Sequence, residues 1–350
     1  MHNGDVLILK GQEVNDLLAG QELAIIHTVE KAYEAHGVGT SALPHSTFLR
    51  FPDSPSNRVI ALPAYLGAGF EVAGVKWIAS FPDNVAHGMD RASAVLIMNS
   101  TSTGRPQAIL EASVISAKRT AASAALAARC LQQGKQTHSA GLIGCGLINF
   151  ETTRFLKATF PELESLVVFD RSPVQAERFK EVCFETFTDV EVEIAASVDT
   201  VLGSSSLVSI ATTAVEPHIA DLSACAAGST ILHISLRDLA PELVLANDNV
   251  VDDIEHACRA QTTLHLAEQL SGSREFIRCT LADILNGTAS ARMSDMRLAI
   301  FSPFGLGVLD IAVGQLVCEL AMKQCSGLVI NSFLPEHWAE RHRNSARPSL

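Results

Sequence analysis

The chain has 350 residues, of which 47% are apolar, and it carries a formal net charge of −12 without a basic tract. This size can bury a large core and predicts two domains, while the acidic balance argues against nucleic acid and anionic membranes as partners. Because no apolar run reaches membrane-spanning length and the first residues do not form a signal peptide, we expect a cytoplasmic protein with no membrane partner.

The cysteines and histidines give no sign of a disulfide framework or a metal site. The eight cysteines contain no C-x-x-C pair, and the twelve histidines show no H-E-x-x-H spacing. In a chain of this length, we expect reduced thiols within the core and no bound metal.

The first 110 residues combine one helix with several strand-like runs. The helix is predicted over Glu22–His36, where apolar residues recur at helical spacing before two glycines. The strand-like runs, which turn residues separate, are Ser46–Arg50, Val59–Leu62, Gly74–Ser80 and Ala92–Met98. A hairpin-like turn is predicted at Ser102–Arg105.

An alanine-rich helix, predicted over Val114–Leu131, and a linker at Gln132–Thr137 lead to a different pattern. Beyond them, short apolar strands alternate with helical stretches, which predicts a parallel, doubly wound sheet. These strands are Gly141–Ile143, Leu166–Phe169, Val190–Ile194, Leu207–Ala211, Thr230–Ile234, Val250–Asp252 and Leu298–Phe301. A last helix, Gly307–Lys323, is expected to return to the first domain, and the polar tail over 336–350 is expected to be flexible.

A glycine turn joins the first of these parallel strands to a helix. Gly144 and Gly146 stand in G-x-G-x-x-G register with Asn149 in place of the third glycine, and the next apolar run ends at Asp170. Such a turn admits a pyrophosphate to a helix N-terminus, and the acid accepts hydrogen bonds from a ribose diol. We expect Asn149 to reduce helix–strand closeness without removing phosphate binding. The Asp170 carboxylate favours NAD as the cofactor, whereas Arg171 leaves NADP as an alternative. The structural alternative to a dinucleotide site is an ordinary tight turn between strand and helix.

Residues at the carboxyl ends of the other parallel strands should line the same crevice. These segments are Thr212–Thr213, Ser235–Asp238 and Ser302–Gly305. Together with the turn they give the predicted cofactor-binding residues, which are Gly144, Gly146, Leu147, Ile148, Asp170, Arg171, Thr212, Thr213 and Ser235.

Three further segments, Gly74–Trp77, Ala117–Ala122 and Leu236–Leu243, stand in order with the turn at Gly144–Asn149. With these motifs the chain resembles the ornithine cyclodeaminase/μ-crystallin family over nearly its whole length. The resemblance implies an α/β fold, a Rossmann-type doubly wound parallel sheet plus a discontinuous α/β substrate-binding and dimerisation domain, and hence a homodimer. The expected boundaries are 1–125 with 306–335 for the substrate-binding domain and 126–305 for the NAD-binding domain.

By position, the resemblance implies roles for three residues. Lys76 would be a catalytic lysine beside the substrate, Arg119 would bind the substrate α-carboxylate, and Asp238 would be the acid–base group that handles water or the imine. Each also has an ordinary structural interpretation. Lys76 could face solvent on an alternating strand, Arg119 could pair with Glu111 on a helix surface, and Asp238 could cap a helix.

The sequence differs from the cyclodeaminases at positions that would contact the distal end of the substrate, where it loses a group suited to an ammonium and gains a cation. Arg91 stands where those enzymes carry a threonine, Ile60 lies near the position of an acid that reads the distal amine, and the stretch after Asp238 lacks the family's lysine. With Arg50 and Arg58 also in the first domain, these changes favour a substrate with several carboxylates, bound in part by Arg50 and Arg91.

Within the family, this combination resembles the dehydrogenases of siderophore and antibiotic pathways that form 2,3-diaminopropionate. Those enzymes use NAD to oxidise N-(2-amino-2-carboxyethyl)-L-glutamate, a tricarboxylate, and release L-2,3-diaminopropionate and 2-oxoglutarate. We therefore expect hydride transfer to NAD followed by imine hydrolysis. Ornithine cyclodeaminase activity, a ketimine reductase or alanine dehydrogenase activity, and a non-catalytic crystallin-like role remain alternatives.

Overall fold

The structure is a computed structural model that describes residues 4–132 and 134–339. Eleven of the fifteen residues of the predicted tail, 340–350, lie outside the described residues. Within the described part, the chain divides into two compact units. The antiparallel unit comprises the residues up to Ala19, Ser41–Ile115 and those from Asp310 onward; the parallel unit comprises Gly20–Thr40 and Ser116–Leu309.

The strands are β1 Val6–Leu9, β2 Ser41–Ala42, β3 Thr47–Phe51, β4 Ser54–Leu66, β5 Val72–Ser80, β6 Ala92–Ser100, β7 Pro106–Glu111, β8 Ser139–Ile143, β9 Ser165–Phe169, β10 Glu191–Ile194, β11 Leu207–Ile210, β12 Thr230–His233, β13 Asp248–Val251, β14 Ile277–Thr280, β15 Ala299–Ser302 and β16 Leu328–Ile330. The helices are α1 Gly11–Leu18, α2 Glu22–Gly37, α3 Ser113–Gln132, α4 Leu147–Thr159, α5 Pro173–Thr186, α6 Val198–Ser204, α7 Pro241–Ala246, α8 Ile254–Ala257, α9 Thr263–Ser271, α10 Leu281–Leu285 and α11 Gly307–Gln324, with a 3₁₀ turn at Pro82–His87. Among the described residues, none of the helices combines the length and apolarity that crossing a bilayer requires.

The antiparallel unit is built on one sheet in the order β16-β1-β7-β6-β5-β4-β2, with β3 beside β4. Only the β1–β7 pair is parallel in this sheet. Side chains alternate between the two faces. On one face Leu96 is fully buried beneath α11, where a Cβ on Gly314 would lie only 2.4 Å from the Leu96 side chain. On the other face Trp77 and its direct cross-strand partner Val95 remain 47% and 41% exposed.

The parallel unit contains the predicted doubly wound sheet. Its strand order is β10-β9-β8-β11-β12-β15-β13-β14, and every neighbouring pair is parallel. The chain reverses direction across the sheet between β8 and β11, the switch point at which such sheets bind ligands. Apolar side chains from β11, β12, β15 and α6, among them Val208, Ile231, Ile300 and Val201, form one core of this unit.

Helix α2 groups with the parallel unit, although the predicted domain of residues 1–125 included it. Its fully buried Tyr33 shares a hydrogen bond of 2.7 Å with the Ser123 hydroxyl of α3. At its end, a Cβ on Gly37 would lie 2.7 Å from the Ala282 side chain of α10, so the absence of a side chain permits close packing. Packing of this kind is decided by partners far away in the sequence, which local periodicity does not report.

The predicted elements agree with the structure to within a few residues at their ends. The strands that the sequence interpretation missed are β1, β2, β7, β14 and β16. Four of these, β1, β2, β14 and β16, have only two to four residues, and β2, β14 and β16 lie at sheet edges. A run this short carries too few alternations to be distinguished from a loop.

Candidate active site

The glycine turn lies where the parallel sheet reverses. Gly144 follows β8 with a φ of +94°, and a Cβ there would be 2.4 Å from the Ala211 carbonyl oxygen at the end of β11. Only glycine tolerates both this backbone conformation and this close approach. The turn is therefore held against the neighbouring strand end, at the position where a dinucleotide phosphate binds in such sheets.

Asn149, which replaces the third glycine of the motif, secures the turn. Its side chain is fully buried; the amide nitrogen donates to the Ile143 and Gly144 carbonyl oxygens at 3.0 and 2.6 Å. Its amide oxygen accepts a hydrogen bond of 2.7 Å from the Ser209 hydroxyl of β11. Asn149 thus bonds α4 to the ends of both β8 and β11, a compensation for the missing glycine that the sequence did not predict.

The start of α4 leaves room for a phosphate. A Cβ built on Gly146 would meet nothing within 4 Å, and Gly146 caps the 13-residue α4 without any side-chain hydrogen bond. Leu147 is exposed and Ile148 half-buried in the first turn. The free N–H groups of such a helix terminus and its dipole suit an anion, so these residues fit the pyrophosphate of NAD.

Asp170 follows β9 and bonds to the glycine turn. Its carboxylate accepts hydrogen bonds of 2.9 Å from the backbone N–H groups of Cys145 and Ser172. The Gln175 amide donates to the Cys145 carbonyl oxygen at 2.7 Å and joins α5 to the same turn. Asp170 is half-buried and Arg171 is exposed. The predicted ribose-binding acid therefore lies directly beside the predicted phosphate turn.

Asp238 lies in the loop after β12 and is fully buried. The Thr212 hydroxyl donates a short hydrogen bond to Oδ1 of Asp238, and the Ser235 hydroxyl donates one to Oδ2. The His233 Nε2 atom lies 3.4 Å from Oδ2. Burial alone would raise the pKa of Asp238, but the hydrogen bonds of His233, Ser235 and Thr212 and the charge of His233 outweigh it. The pKa of Asp238 is held below its usual value, and the group is a carboxylate at neutral pH.

Asp238 is not a helix cap, which was its ordinary structural interpretation. Helix α7 is capped at Ala240 without a side-chain hydrogen bond. Thr212 and Ser235 thus meet Asp238 at adjoining strand ends, whereas Thr213 is exposed.

Arg119 lies on α3 and is only 7% exposed, so it is not a solvated helix charge. The alternative partner, Glu111, instead accepts hydrogen bonds from the backbone N–H groups of Ser113 and Val114 at the start of α3. The preceding Lys118 is also buried and pairs with Glu151 of α4 at 3.2 Å. The Ala117–Ala122 motif therefore places two buried cations on the helix beside the glycine-turn helix.

Lys76 is 1% exposed on β5, so its interpretation as a solvent-facing strand residue is wrong. Its Nζ atom lies 2.7 Å from a carboxylate oxygen of the fully buried Asp310 of α11. The sequence interpretation missed Asp310, although a lone acid in the otherwise apolar first turns of that helix was a signal. A buried pair of this kind keeps both charges only because each neutralises the other.

Three arginines are grouped at one end of the antiparallel sheet. Arg50 of β3 and Arg58 of β4 are direct cross-strand partners, and Arg58 is in turn the partner of Ser80 on β5. The Arg91 guanidinium donates to the Ser80 hydroxyl at 3.0 Å, and burial lowers the pKa of Arg91 from its ordinary value. Ser80 lies four residues after Lys76 on β5, on the same sheet face and about 13 Å away. The structure thus gathers the predicted substrate-binding arginines of this unit.

Comparisons with known proteins agree over nearly the full chain. The sequence profile of the ornithine cyclodeaminase/mu-crystallin family matches residues 6–324. The N-((2S)-2-amino-2-carboxyethyl)-L-glutamate dehydrogenase of Staphylococcus aureus is 26% identical over 339 residues, which cover 95% of this chain and 100% of that protein.

Two solved structures share the fold. The Δ(1)-pyrroline-2-carboxylate reductase of Thermococcus litoralis, in complex with NADH and L-proline, gives a TM-score of 0.86 at 24% identity, over 92% of this chain and 99% of that one. An archaeal alanine dehydrogenase dimer with bound NAD gives a TM-score of 0.83 at 25% identity, over 93% and 99% of the two chains.

The Lys76–Asp310 pair generates a stability prediction. Asp310→Asn leaves the Lys76 ammonium buried beside a neutral group and should lower the free energy of unfolding by about 3–5 kcal/mol. The double variant Lys76→Met with Asp310→Leu removes both charges and should recover most of that loss, as followed by circular dichroism in urea. As a control, Lys31→Met breaks an exposed pair with Glu34 and should change stability little. Equal stability of Asp310→Asn and the unmodified protein would contradict the assigned pair.

Proposed function

The chain belongs to the ornithine cyclodeaminase/mu-crystallin family, and from this membership we propose that it is an NAD-dependent enzyme oxidising a CH–NH bond of an amino acid. As substrate we propose N-(2-amino-2-carboxyethyl)-L-glutamate, which would be cleaved to L-2,3-diaminopropionate and 2-oxoglutarate. The NAD expected from the glycine turn agrees with the NAD bound in the archaeal alanine dehydrogenase. The unpaired state of all eight cysteines supports a reducing compartment, for which we propose the cytoplasm.

The observation that carries this substrate is the group of arginines around Ser80. Like charges on directly paired residues such as Arg50 and Arg58 destabilise a sheet, and burial of Arg91 adds a cost of desolvation. A substrate carboxylate would offset both costs, because guanidinium groups match carboxylates bidentately. Arg50 and Arg91 would bind the further carboxylates of a tricarboxylate; ornithine, with its distal ammonium, would be repelled.

The chemistry needs a hydride acceptor, a proton acceptor and an activated water. NAD, which the glycine turn and Asp170 would hold, would supply the acceptor for the hydride of the glutamate α-carbon. The substrate nitrogen loses a proton as the carbon–nitrogen bond becomes an imine; water then adds to the carbon, and the bond to the amine breaks to leave a carbonyl. Asp238, ionised at neutral pH, is one candidate for the group that takes the proton and activates water. Lys76 is the other, and it could act as a base only as the neutral amine, after its ammonium has lost a proton.

We also propose that two copies of the chain associate through the exposed face of the antiparallel sheet. Trp77 and Val95 lie in its two central strands, where large apolar side chains are costly to leave in water. A half-buried apolar row formed by Val75, Ile97 and Ile109 lies beside them on the same face. The dimeric state of the archaeal alanine dehydrogenase supports a second copy as the occupant.

The reaction is tested with purified protein, the conjugate and NAD, by following NADH formation together with 2,3-diaminopropionate. Arg91→Ala should raise KM by about 30-fold or more, because truncating one partner of a buried charge pair costs about 2–5 kcal/mol. The matched control, Arg178→Ala on the exposed face of α5, should leave KM unchanged.

Assays of the same protein with other substrates have three outcomes that would replace the proposed reaction. Proline formed from ornithine would indicate a cyclodeaminase, and NADH consumption with pyruvate and ammonia or with a cyclic imine would indicate a reductase or alanine dehydrogenase. Absence of all these activities, with NAD still bound, would indicate a crystallin-like binding protein.

Cofactor preference depends on Asp170. If its carboxylate accepts hydrogen bonds from the ribose diol, Asp170→Ala should weaken NAD binding about tenfold or more, since such a bond contributes about 1.5–3 kcal/mol. Calorimetric titration of the unmodified protein should also show tighter binding of NAD than of NADP. Arg171→Ala is the control, because it should leave NAD affinity unchanged. Equal affinity for the two cofactors would refute the role of Asp170.

The proposed dimer is tested by light scattering coupled to size-exclusion chromatography. Trp77→Asp places a charge in the centre of the exposed sheet face and should convert the dimer to a monomer. Phe184→Asp, at a residue of α5 that is 79% exposed, makes the same kind of change in the parallel unit and should leave the dimer intact. A Trp77→Asp protein that remains dimeric would place the interface elsewhere.

A further inference from the structure

The guanidinium group of Arg119 lies directly against the backbone of Gly305. A Cβ on Gly305 would be 2.8 Å from Nη1, 3.1 Å from Nη2 and 3.4 Å from Cζ of Arg119. The two terminal nitrogens are the nearest atoms and Cζ is the farthest, so Gly305 faces the Nη1–Nη2 end of the guanidinium group. Any side chain at position 305 would therefore displace the guanidinium itself.

The turn that carries Gly305 is held by a buried carboxylate. Asp252, at the carboxyl end of β13, is fully buried and accepts hydrogen bonds from the backbone N–H groups of Phe304 at 2.9 Å and Gly305 at 2.7 Å. These bonds join the ends of β13 and β15, which are neighbouring strands. Gly305 has a φ of +94°, a conformation that glycine adopts without strain.

The same carboxylate and the same guanidinium act on a third group. Tyr33 is fully buried, and burial, followed by the Asp252 charge, raises the pKa of its phenol, whereas the charge of Arg119 lowers it. The Tyr33 hydroxyl pairs with Ser123, which lies one helical turn after Arg119 on α3. The Tyr33–Ser123 hydrogen bond thus joins the face of α3 that bears Arg119 to α2.

We propose that Gly305 and Asp252 are positioning residues for Arg119: Asp252 fixes the Phe304–Gly305 turn, and the bare Cα of that turn supports the guanidinium in one orientation. This inference rests on the proposed function in that Arg119 binds the substrate α-carboxylate. Bidentate binding needs the guanidinium plane aligned with the carboxylate, so a support that fixes the plane before substrate arrives lowers the cost of binding.

The test uses Gly305→Ala, with Gly272→Ala as the matched control. Gly272 ends α9 with a φ of +72° and nothing within 4 Å of an added Cβ, so it shares the backbone penalty without touching an arginine. Gly305→Ala should raise KM for the conjugate about tenfold or more with little change in kcat or in NAD affinity. It should also reduce the preference for the conjugate over its α-carboxamide analogue, which Gly272→Ala should not do.

A double-mutant cycle separates positioning from general damage. In an Arg119→Ala background, Gly305→Ala should have no further effect on KM, because no guanidinium remains to be displaced. An equal effect of Gly305→Ala in both backgrounds would overturn the proposal. If Gly305→Ala does not fold, Asp252→Asn replaces it in the test. This variant keeps the side-chain shape but exchanges one acceptor oxygen for a donor, and it should raise KM by a smaller factor.

A structural readout distinguishes this proposal from the proposed function. In the protein without NAD, the Arg119 Nε–H resonance should be slow to exchange with solvent in the unmodified protein and in Gly272→Ala, and fast in Gly305→Ala. An unchanged resonance in Gly305→Ala overturns the positioning proposal whatever the kinetics. A lost resonance, combined with an unchanged KM in Arg119→Ala, upholds the positioning and refutes the assignment of Arg119 to the α-carboxylate.

Discussion

Compensation of buried charge is the constraint on which the candidate site depends. Asp238 and Asp252 follow strands of the parallel sheet without any solvent exposure, and each accepts hydrogen bonds from the end of a neighbouring strand, from Thr212 for Asp238 and from Phe304 and Gly305 for Asp252. In the antiparallel unit, Lys76 and Asp310 neutralise one another. An uncompensated charge in such places costs several kcal/mol, so the loops that supply the donors cannot move independently of the carboxylates. The residues assigned to chemistry are therefore also the residues that hold their own surroundings in place.

The parallel strand order explains why these groups meet. Strands β8 and β11 are adjacent at the reversal of the sheet, so the glycine turn after one packs on the carbonyl group that ends the other. Asn149 adds hydrogen bonds to both strand ends, which a third glycine could not make. Asn149 therefore holds α4 against the sheet by hydrogen bonds, whereas the third glycine of the motif does so by close packing. Phosphate binding by backbone N–H groups does not depend on which of the two is used.

The arginine group of the antiparallel sheet bears on substrate choice. Arg50 and Arg58 are direct cross-strand partners, and the Arg91 guanidinium donates a hydrogen bond to the Ser80 hydroxyl. Positive charges concentrated in this way favour an anionic ligand and disfavour a cationic one, both through direct pairing and through the field at longer range. In the proposed reaction, discrimination among amino-acid substrates would depend on a few side chains of the antiparallel sheet.

By itself, the sequence determined the features that local patterns encode. Strand alternation, the glycine turn and Asp170 predicted the parallel sheet and its dinucleotide site, and ordered motifs located Lys76, Arg119 and Asp238. Only the tertiary structure excluded their ordinary interpretations as exposed or helix-capping residues, because burial depends on partners distant in the chain. Asp310 lies beside Lys76, Gly305 faces the end of the Arg119 guanidinium, and Thr212 donates a hydrogen bond to Asp238. Such pairings follow from strand order and helix packing, which are set by the whole core, and no window of neighbouring residues contains them.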